Sequence, residues 1–453
     1  MSTPPLPDVH PGRPHADACA TRFAQAATPP MTPSEALLEA ERCLYCFDAP
    51  CASACPTAID IPSFIRRIAD GNLRGAARRI LEANPLGGMC ARVCPTEDLC
   101  EKVCVRTTQT GVPVAIGRLQ RHATDALMAS DRPQVFARAA PTGKRVAVVG
   151  AGPAGLACAH TLARHGHGVT VFDAHAKPGG LNEYGLATYK TADGFAQREV
   201  QWLLDIGGIT LQTGWVLDTA DQLATLRRDF DAVFLGVGLA DTHRLGVPGE
   251  DLGGVQDAVA FIATLRQAFS QAADKATVPV GRHVVVIGGG MTAVDAAVQS
   301  KLLGAESVTL VYRRGQASMS ASKDEQAWAL KHGVVIRHWL APVELTGTDG
   351  QVSAVRFAHQ AMVGGKLAST GEAVDLPADT VLKAIGQTLG NAWLADTGLA
   401  LADGRIAADA TGQTSLSGVW AGGDCRAGGL DLTVEAVAHG KQAALAMHQA
   451  LSA

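Results

Sequence analysis

A strand–glycine–helix unit occurs twice in this chain, over residues 145–173 and 282–313, and no other feature restricts its fold as strongly. In the first copy Val146-Ala-Val-Val runs into Gly150-Ala151-Gly152-Pro153-Ala154-Gly155 and then into the helical stretch 156–164. The second copy runs His283-Val-Val-Val-Ile-Gly288-Gly-Gly290-Met291-Thr292-Ala293, with alanine in the third glycine position, which the pattern tolerates. The first two glycines allow a tight turn and close backbone approach to a pyrophosphate, and the third lets the helix pack on the strand. The helix amino terminus offers its unpaired N–H groups to the anion. From residue 143 onward, short Val/Ile runs ending in glycine alternate with alanine-rich helical stretches, the pattern of parallel strands with crossover helices. Two dinucleotide sites on Rossmann-like α/β domains follow.

The remaining bulk properties narrow the partners. With 453 residues, 47% apolar and 18% charged, the chain can build two or three cores. Its formal net charge is −4 with no basic stripe, which argues against nucleic acid or anionic lipid. Apolar runs such as 284–287 and 146–149 fall far short of the roughly 20 residues that span a bilayer. Residues 1–32 are rich in Pro, Ala and His and lack the charged start and apolar core of a secretion signal. They are expected to form a flexible lead, and the chain is expected to be cytoplasmic.

Eight of the eleven cysteines lie between Cys43 and Cys104, a crowding that in a large chain without a signal peptide argues for metal in a reducing compartment. The first group is Cys43-Leu-Tyr-Cys46, Cys51 and Cys55-Pro56, and the second is Cys90, Cys94-Pro95, Cys100 and Cys104. Thiolates are the soft ligands that iron–sulfur clusters select, and in two-cluster runs the last cysteine ligates the other cluster. Two cluster sites with crossed ligands are expected. Two zinc ribbons would use the same Cys-x-x-Cys spacing, and spacing alone does not exclude Cys90 as a ligand. Helices are expected over Ile61–Ala69 and Leu73–Ala83. Cys158 and Cys425 read as buried free thiols, and Cys19 is given no role.

The first glycine site is accompanied by Asp173 about 20 residues on, suited to the adenosine ribose hydroxyls. It is also accompanied by Lys177-Pro-Gly179-Gly180-Leu181 and by Val419-Trp-Ala-Gly-Gly423-Asp424 ahead of Leu432-Thr433-Val434-Glu435. This set resembles flavin-dependent disulfide reductases. The resemblance implies FAD, with Asp424 on its ribityl-phosphate side and the helix from Thr433 pointing its positive end at the isoalloxazine. Lys190 stands where such proteins more often carry arginine, and is carried over as a flavin-site residue. In the second site Tyr312-Arg313-Arg314 ends the strand where an NAD site usually carries an acid, and two cations there suit the 2′-phosphate of NADP. Ala384-Ile385-Gly386 resembles the strand that returns the chain to the flavin domain.

Arg42-Cys43-Leu-Tyr-Cys46-Phe-Asp-Ala-Pro-Cys51, Asn84-Pro-Leu-Gly, Cys94-Pro-Thr-Glu-Asp-Leu-Cys100 and Ile116-Gly-Arg-Leu-Gln120 closely resemble the amino-terminal part of dihydropyrimidine dehydrogenase, and the resemblance covers essentially the whole chain. It implies one [4Fe-4S] cluster on Cys43, Cys46, Cys51 and Cys104 and a second on Cys55, Cys94, Cys100 and Gln120, with Cys90 not a ligand. It also bears on the nicotinamide: the mammalian-type enzymes carry a further basic residue where this chain has Ser320, and bacterial subunits with an arginine pair use NADH, so NAD(H) is slightly favoured over NADP(H). Enzymes of the single-chain kind continue into an FMN-binding barrel, whereas this sequence stops at Ala453. The implied activity is hydride transfer from NAD(P)H to FAD, then single electrons through two clusters to an FMN-containing catalytic subunit that reduces uracil or thymine, in a hetero-oligomer. The glutamate synthase small subunit is the alternative, but it has two residues between the matching cysteines and glutamate at the position of Gln120. A non-catalytic cluster-bearing scaffold would show decayed glycine patterns. The expected domains are a helical cluster domain over 33–130, a linker over 131–142, a flavin domain over 143–240 and 386–453, and a nicotinamide domain over 241–385.

Overall fold

A computed structural model describes residues 22–23, 26–270, 278–390, 392–394 and 396–453. They fall into two compact units. One holds residues 28–183, 193–241 and 387–453, and the other holds the described part of 1–27 with 184–192 and 242–386.

The first unit begins with helices. Thr32 caps Pro33–Glu41 in a capping box with Glu35, Asp60 caps Ile61–Ala69 and Asn72 caps Leu73–Ala83, each side chain taking an N–H that the helix cannot satisfy itself. The two helices expected over Ile61–Ala69 and Leu73–Ala83 have those bounds. Ile61, Phe64, Ile65 and Ile68 form one buried face of the former, and Ile116–Met128 meets the bundle with Ile116, Leu119, Ala123 and Leu127. Residues 131–142 carry no helix or strand but lie along the same unit. Ala139 N–H donates to the Arg164 carbonyl and Trp202 Nε1 to the Pro133 carbonyl.

The same unit contains a parallel five-stranded sheet in the order Val419–Ala421, Ala232–Leu235, Arg145–Val149, Gly168–Asp173, Ile209–Thr213. The helices Pro153–Arg164 and Thr433–Ser452 cross where a side-chain carbon on Gly440 would stand 2.0 Å from the Ala154 carbonyl oxygen. Helical bundle and sheet share one core, in which Ile65, Leu119, Val148, Leu156 and Trp202 are all buried.

The second unit repeats this arrangement. Its parallel sheet has the order Val255–Asp257, Thr380–Ala384, His283–Gly288, Ser307–Tyr312, Val335–His338, so in both sheets the strand entering the glycine turn is central. A three-stranded antiparallel sheet, Leu340–Thr348, Gln351–Val363 and Lys366–Pro377, is added to it. Its mixed strand patterns were not anticipated from the sequence.

Two expectations need correction. Of the flexible lead over 1–32, residues 1–21 and 24–25, with Cys19, lie outside the described residues, but the rest is held. Phe23 is buried with Tyr189 and Phe261 in the second unit's core and meets the Phe269 ring edge-on at 4.8 Å, because an exposed phenyl ring has nowhere cheaper to go than an apolar core. Residues 184–192, expected in the flavin domain, group with the second unit. Ala187 N–H and Tyr189 Oη donate to Asp295, and Arg266 donates to the Leu186 carbonyl.

Candidate functional site

The bundle of the first unit leaves two spaces of similar size, about 370 and 380 Å³, and Ile61 borders both. Cys43, Cys46, Cys51 and Cys104 line the first, among apolar neighbours that include Leu44, Ile65, Val114 and Ile116. Cys55, Cys94, Cys100 and Gln120 line the second, together with Cys90, Asn84 and Thr96. Chain order alone would not pair Cys104 with Cys43, 61 positions earlier. The helices Ile61–Ala69 and Ile116–Met128 do so by folding the two cysteine segments against one another.

Cys43, Cys51, Cys94 and Cys100 resist ionisation. Burial pushes Cys51 up to about 11, with the neighbouring Cys104 and Cys43 adding to the effect. Cys94 is raised by its hydrogen bond with Cys90 and by burial, and Cys100 by burial and the adjacent Glu101. Four thiolates crowded in an apolar space would repel one another, so a cationic centre that displaces their protons fits this donor set. Among the described residues no three His, Cys, Asp or Glu side chains are drawn together as one ion would require. Ligands that each take a different iron of a cluster stand wider apart than four around a single zinc at about 2.3 Å.

Gln120 is buried on the inward face of Ile116–Met128, and its Nε2 donates to the Gly87 carbonyl at 2.6 Å, which directs the amide oxygen away from that contact. A neutral amide thereby lines the same space as four cysteines. Cys90 is buried in the same space, so geometry, like spacing, leaves it within the group.

On the first sheet, Gly150 has φ +101, and a side-chain carbon on it would stand 2.2 Å from the Gly236 carbonyl oxygen. A side-chain carbon on Gly155 would meet the Gly150 carbonyl oxygen at 1.8 Å, so helix and turn have closed to a distance only glycine permits. Gly152 and Gly180 face each other across the turn, and the Gly179 N–H donates to the Ala151 carbonyl at 2.7 Å. The helix Pro153–Arg164 starts at Gly152 with no side-chain cap, and Thr433–Ser452 starts at Leu432 likewise. Uncapped N–H groups beside a cradle without side chains fit a bound pyrophosphate.

Asp173 accepts the Ala151 N–H at 2.6 Å and the His175 N–H at 2.8 Å, one on each oxygen, so it braces the glycine turn and keeps further lone pairs for hydroxyls. Burial, with Asp431 adding to it, pushes Asp424 up to about 6. Gly423 sits against Ala154, and Thr433 Oγ1 donates to Asn182 Oδ1 at 3.0 Å, one residue past Leu181. Val434, at the start of the last helix, also lines the second cysteine space. The expected flavin helix and the second cluster group therefore meet within one unit.

In the second unit a side-chain carbon on Gly288 would stand 2.2 Å from the Ala384 carbonyl oxygen, the residue paired with it in the sheet. The helix Met291–Leu302 starts at Gly290 without a side-chain cap, Thr292 lies in its first turn and Ala293 is buried against the sheet. Arg313 and Arg314 are exposed just beyond Ser307–Tyr312. The Arg314 carbonyl accepts the Trp339 N–H at 3.2 Å. Ile385 and Gly386 follow the strand Thr380–Ala384, and the Gly386 carbonyl accepts the His243 N–H. Lys190 requires correction: its ammonium is committed to Asp295 at 2.8 Å and Glu325 at 2.7 Å within the second unit, and these two carboxylates overcome burial to raise its pKa.

Sequence reasoning missed Glu199. It is fully buried on Phe195–Leu204 and accepts the Gly88 N–H at 2.6 Å and the Met89 N–H at 3.0 Å, capping the helix Gly87–Val93 that carries Cys90 and leads to Cys94. Its spacing from Phe195 and Trp202 at helical period was the available signal.

Residues 144–440 match the family described as pyridine nucleotide-disulphide oxidoreductase, and residues 20–132 match dihydropyrimidine dehydrogenase domain II, 4Fe-4S cluster. The chain is 36% identical to the glutamate synthase [NADPH] small chain of Escherichia coli, over 92% of this chain and 91% of that one. It is 35% identical to the NAD-dependent dihydropyrimidine dehydrogenase subunit PreT of Salmonella typhimurium, over 95% and 97%. Among solved structures, Mycobacterium tuberculosis FprA in complex with NADPH aligns with a TM-score of 0.56 at 20% identity, over 68% of this chain and 84% of that one, which shows the shared fold. No helix among the described residues is long and apolar enough to cross a membrane.

Proposed function

This chain belongs to the pyridine nucleotide-disulphide oxidoreductase family, and from that premise we propose that it is the electron-input subunit of a two-subunit NAD(P)-dependent dihydropyrimidine dehydrogenase. Membership implies FAD and a nicotinamide nucleotide, and the amino-terminal match implies a 4Fe-4S cluster. FAD held here would supply the conversion between a two-electron hydride donor, the nicotinamide, and one-electron iron–sulfur carriers.

The observation that carries the proposal is the meeting of three features in one unit: the Gly152–Gly180 cradle, the uncapped start of Thr433–Ser452 and two cysteine-lined spaces, with Val434 shared between helix and second space. In this reading the first-turn N–H groups of Pro153–Arg164 hold the FAD pyrophosphate, and Asp173 braces the turn. Asp424 holds the ribityl-phosphate side. The N–H groups at Thr433 and Val434 stabilise negative charge on the flavin ring. Cys43, Cys46, Cys51 and Cys104 hold one [4Fe-4S] cluster, and Cys55, Cys94, Cys100 and Gln120 the other. Gly288, Gly290 and the start of Met291–Leu302 hold the pyrophosphate of the nicotinamide nucleotide, NADH by preference, with Arg313 and Arg314 at its adenosine. The apolar walls around both cysteine groups exclude water.

The partner proposed is an FMN-containing subunit that reduces uracil or thymine to the 5,6-dihydropyrimidine. Supporting it are the relative named as a subunit of that enzyme, matched over nearly its whole length, the spacing of Cys94 and Cys100, and the amide rather than carboxylate at Gln120. A glutamate synthase small chain is the second reading, favoured by an identity of 36% to one such chain. The chain and its co-purifying FMN protein, given NADH or NADPH, are assayed with uracil and separately with 2-oxoglutarate plus glutamine. Uracil turnover that requires both polypeptides supports the proposal. Glutamate formation without uracil reduction would replace it with the second reading.

A further inference from the structure

The second cysteine space contains a buried hydrogen-bond donor, on Asn84, with no partner among the described residues. Asn84 is completely buried at the end of Leu73–Ala83, held extended ahead of Pro85. Its Oδ1 accepts the Leu86 N–H at 3.0 Å, and because that N–H needs an acceptor, the orientation of the amide is settled. Its Nδ2 then faces the other way and has no hydrogen-bond partner among the described residues, and the side chain lines the space shared with Cys55, Cys94, Cys100 and Gln120. Burying an amide donor without a partner is costly, so buried side-chain amides are almost always satisfied. Besides Asn84, the polar side chains that border this space are the thiols of Cys55, Cys90, Cys94 and Cys100 together with Thr96 and Gln120, and as thiolates the sulfurs accept hydrogen bonds.

We infer that Asn84 donates an N–H···S hydrogen bond to a sulfur of the group held by the second cysteine set, and so raises the reduction potential of that group relative to the first. A donor beside the sulfurs offsets the negative charge gained on one-electron reduction, and no proton moves. The same short turn thus serves the site twice, since the Gly87 carbonyl anchors Gln120 while Asn84 supplies the donor. Asn84 is a positioning and tuning residue rather than a ligand. The inference rests on the reading of this space as a cluster site.

The test uses the full-length chain loaded with iron and sulfide, with 15N placed in asparagine side-chain amides. Pulsed spin resonance of the reduced protein is expected to show a 15N coupling to one cluster. Asn84→Asp keeps the acceptor for the Leu86 N–H and removes the donor, while Asn84→Leu removes the donor without adding charge. In both, the coupling should vanish and the one-electron reduction equilibrium of that cluster should fall about tenfold, or ~59 mV, with the other cluster unchanged. Fully loaded wild-type protein with no 15N coupling, or variants with unchanged potentials, would overturn the inference and leave Asn84 as a cap for Leu86. A protein that binds no iron at either cysteine set would refute the cluster reading and the inference with it, and iron content distinguishes that failure from the others.

Discussion

Gln120 Nε2 donates to the Gly87 carbonyl at 2.6 Å, tying the middle of one helix to the first residue of another and setting the side chain in the space lined by Cys55, Cys90, Cys94 and Cys100. If the amide oxygen is a ligand, replacing it by thiolate adds a negative charge, so Gln120→Cys should lower the potential of that cluster. Gln120→Ala should leave an iron site open and the cluster prone to losing iron on oxidation. Cys90→Ala should retain both clusters. Iron content and low-temperature spin resonance decide between them, and cluster loss in Cys90→Ala with none in Gln120→Ala would exchange the two roles.

Glu199 joins the sheet half of its unit to the helix carrying Cys90, and burial pushes its pKa from 4.5 to about 7 against the opposing Gly88 and Met89 N–H groups. Between pH 4.5 and 7 the folded state binds this proton more tightly than the unfolded chain does. The group's favourable contribution is therefore complete below about 4.5 and is lost as pH rises to about 7, by on the order of 3 kcal/mol. Glu199→Gln should flatten this part of the pH–stability profile, measured by thermal unfolding across the window. An unaltered slope would show that another group sets it.

The Gly155→Ala side chain would stand 1.8 Å from the Gly150 carbonyl oxygen, a backbone atom that cannot swing aside. The variant should bind FAD poorly and unfold more easily by about 1–3 kcal/mol, with the flavin absorbance of the purified protein as the direct measure. Full flavin occupancy would show that this turn does not hold the nucleotide.

Arg313 and Arg314 are exposed beyond the strand end that faces an adenosine ribose in this fold. Arg313→Ala should weaken NADPH by about 1.5–3 kcal/mol, the scale of a lost charge-assisted contact, and NADH by less, as read from kcat/KM with each coenzyme. Equal losses would point to stacking on adenine.

Lys190 lies between Asp295 and Glu325, and Tyr189 Oη also donates to Asp295 at 2.8 Å. Lys190→Met would leave two carboxylates buried without their cation. The second unit should lose about 3–5 kcal/mol of stability, measured by denaturant unfolding. Loss of flavin with stability unchanged would return Lys190 to the flavin site.

Much of this was legible because it is local. Gly150 to Gly155, Gly288 to Ala293 and the capping residues Asp60 and Asn72 act on backbone within a few positions of themselves, so their spacing betrays the turn or helix they build. Lys190 misled because its meaning depends on Asp295 and Glu325, more than 100 positions away, and Phe23 because a lone aromatic in an Ala- and Pro-rich stretch gives no sign of the pocket that takes it. Asn84 and Glu199 gave little warning, since a buried polar side chain on an amphipathic helix or turn looks like a solvated one until its neighbours are known.

Two glycine turns and a crowd of cysteines were readable along the chain, since strand, glycine turn and helix start follow from backbone sterics over a dozen residues. Which of these side chains share a space depends on how the helices pack. Cys104 meets Cys43, and Gln120 joins Cys55 and Cys94, through helices whose apolar faces must pack somewhere, and the partner each face finds is set by the whole core rather than by spacing along the chain.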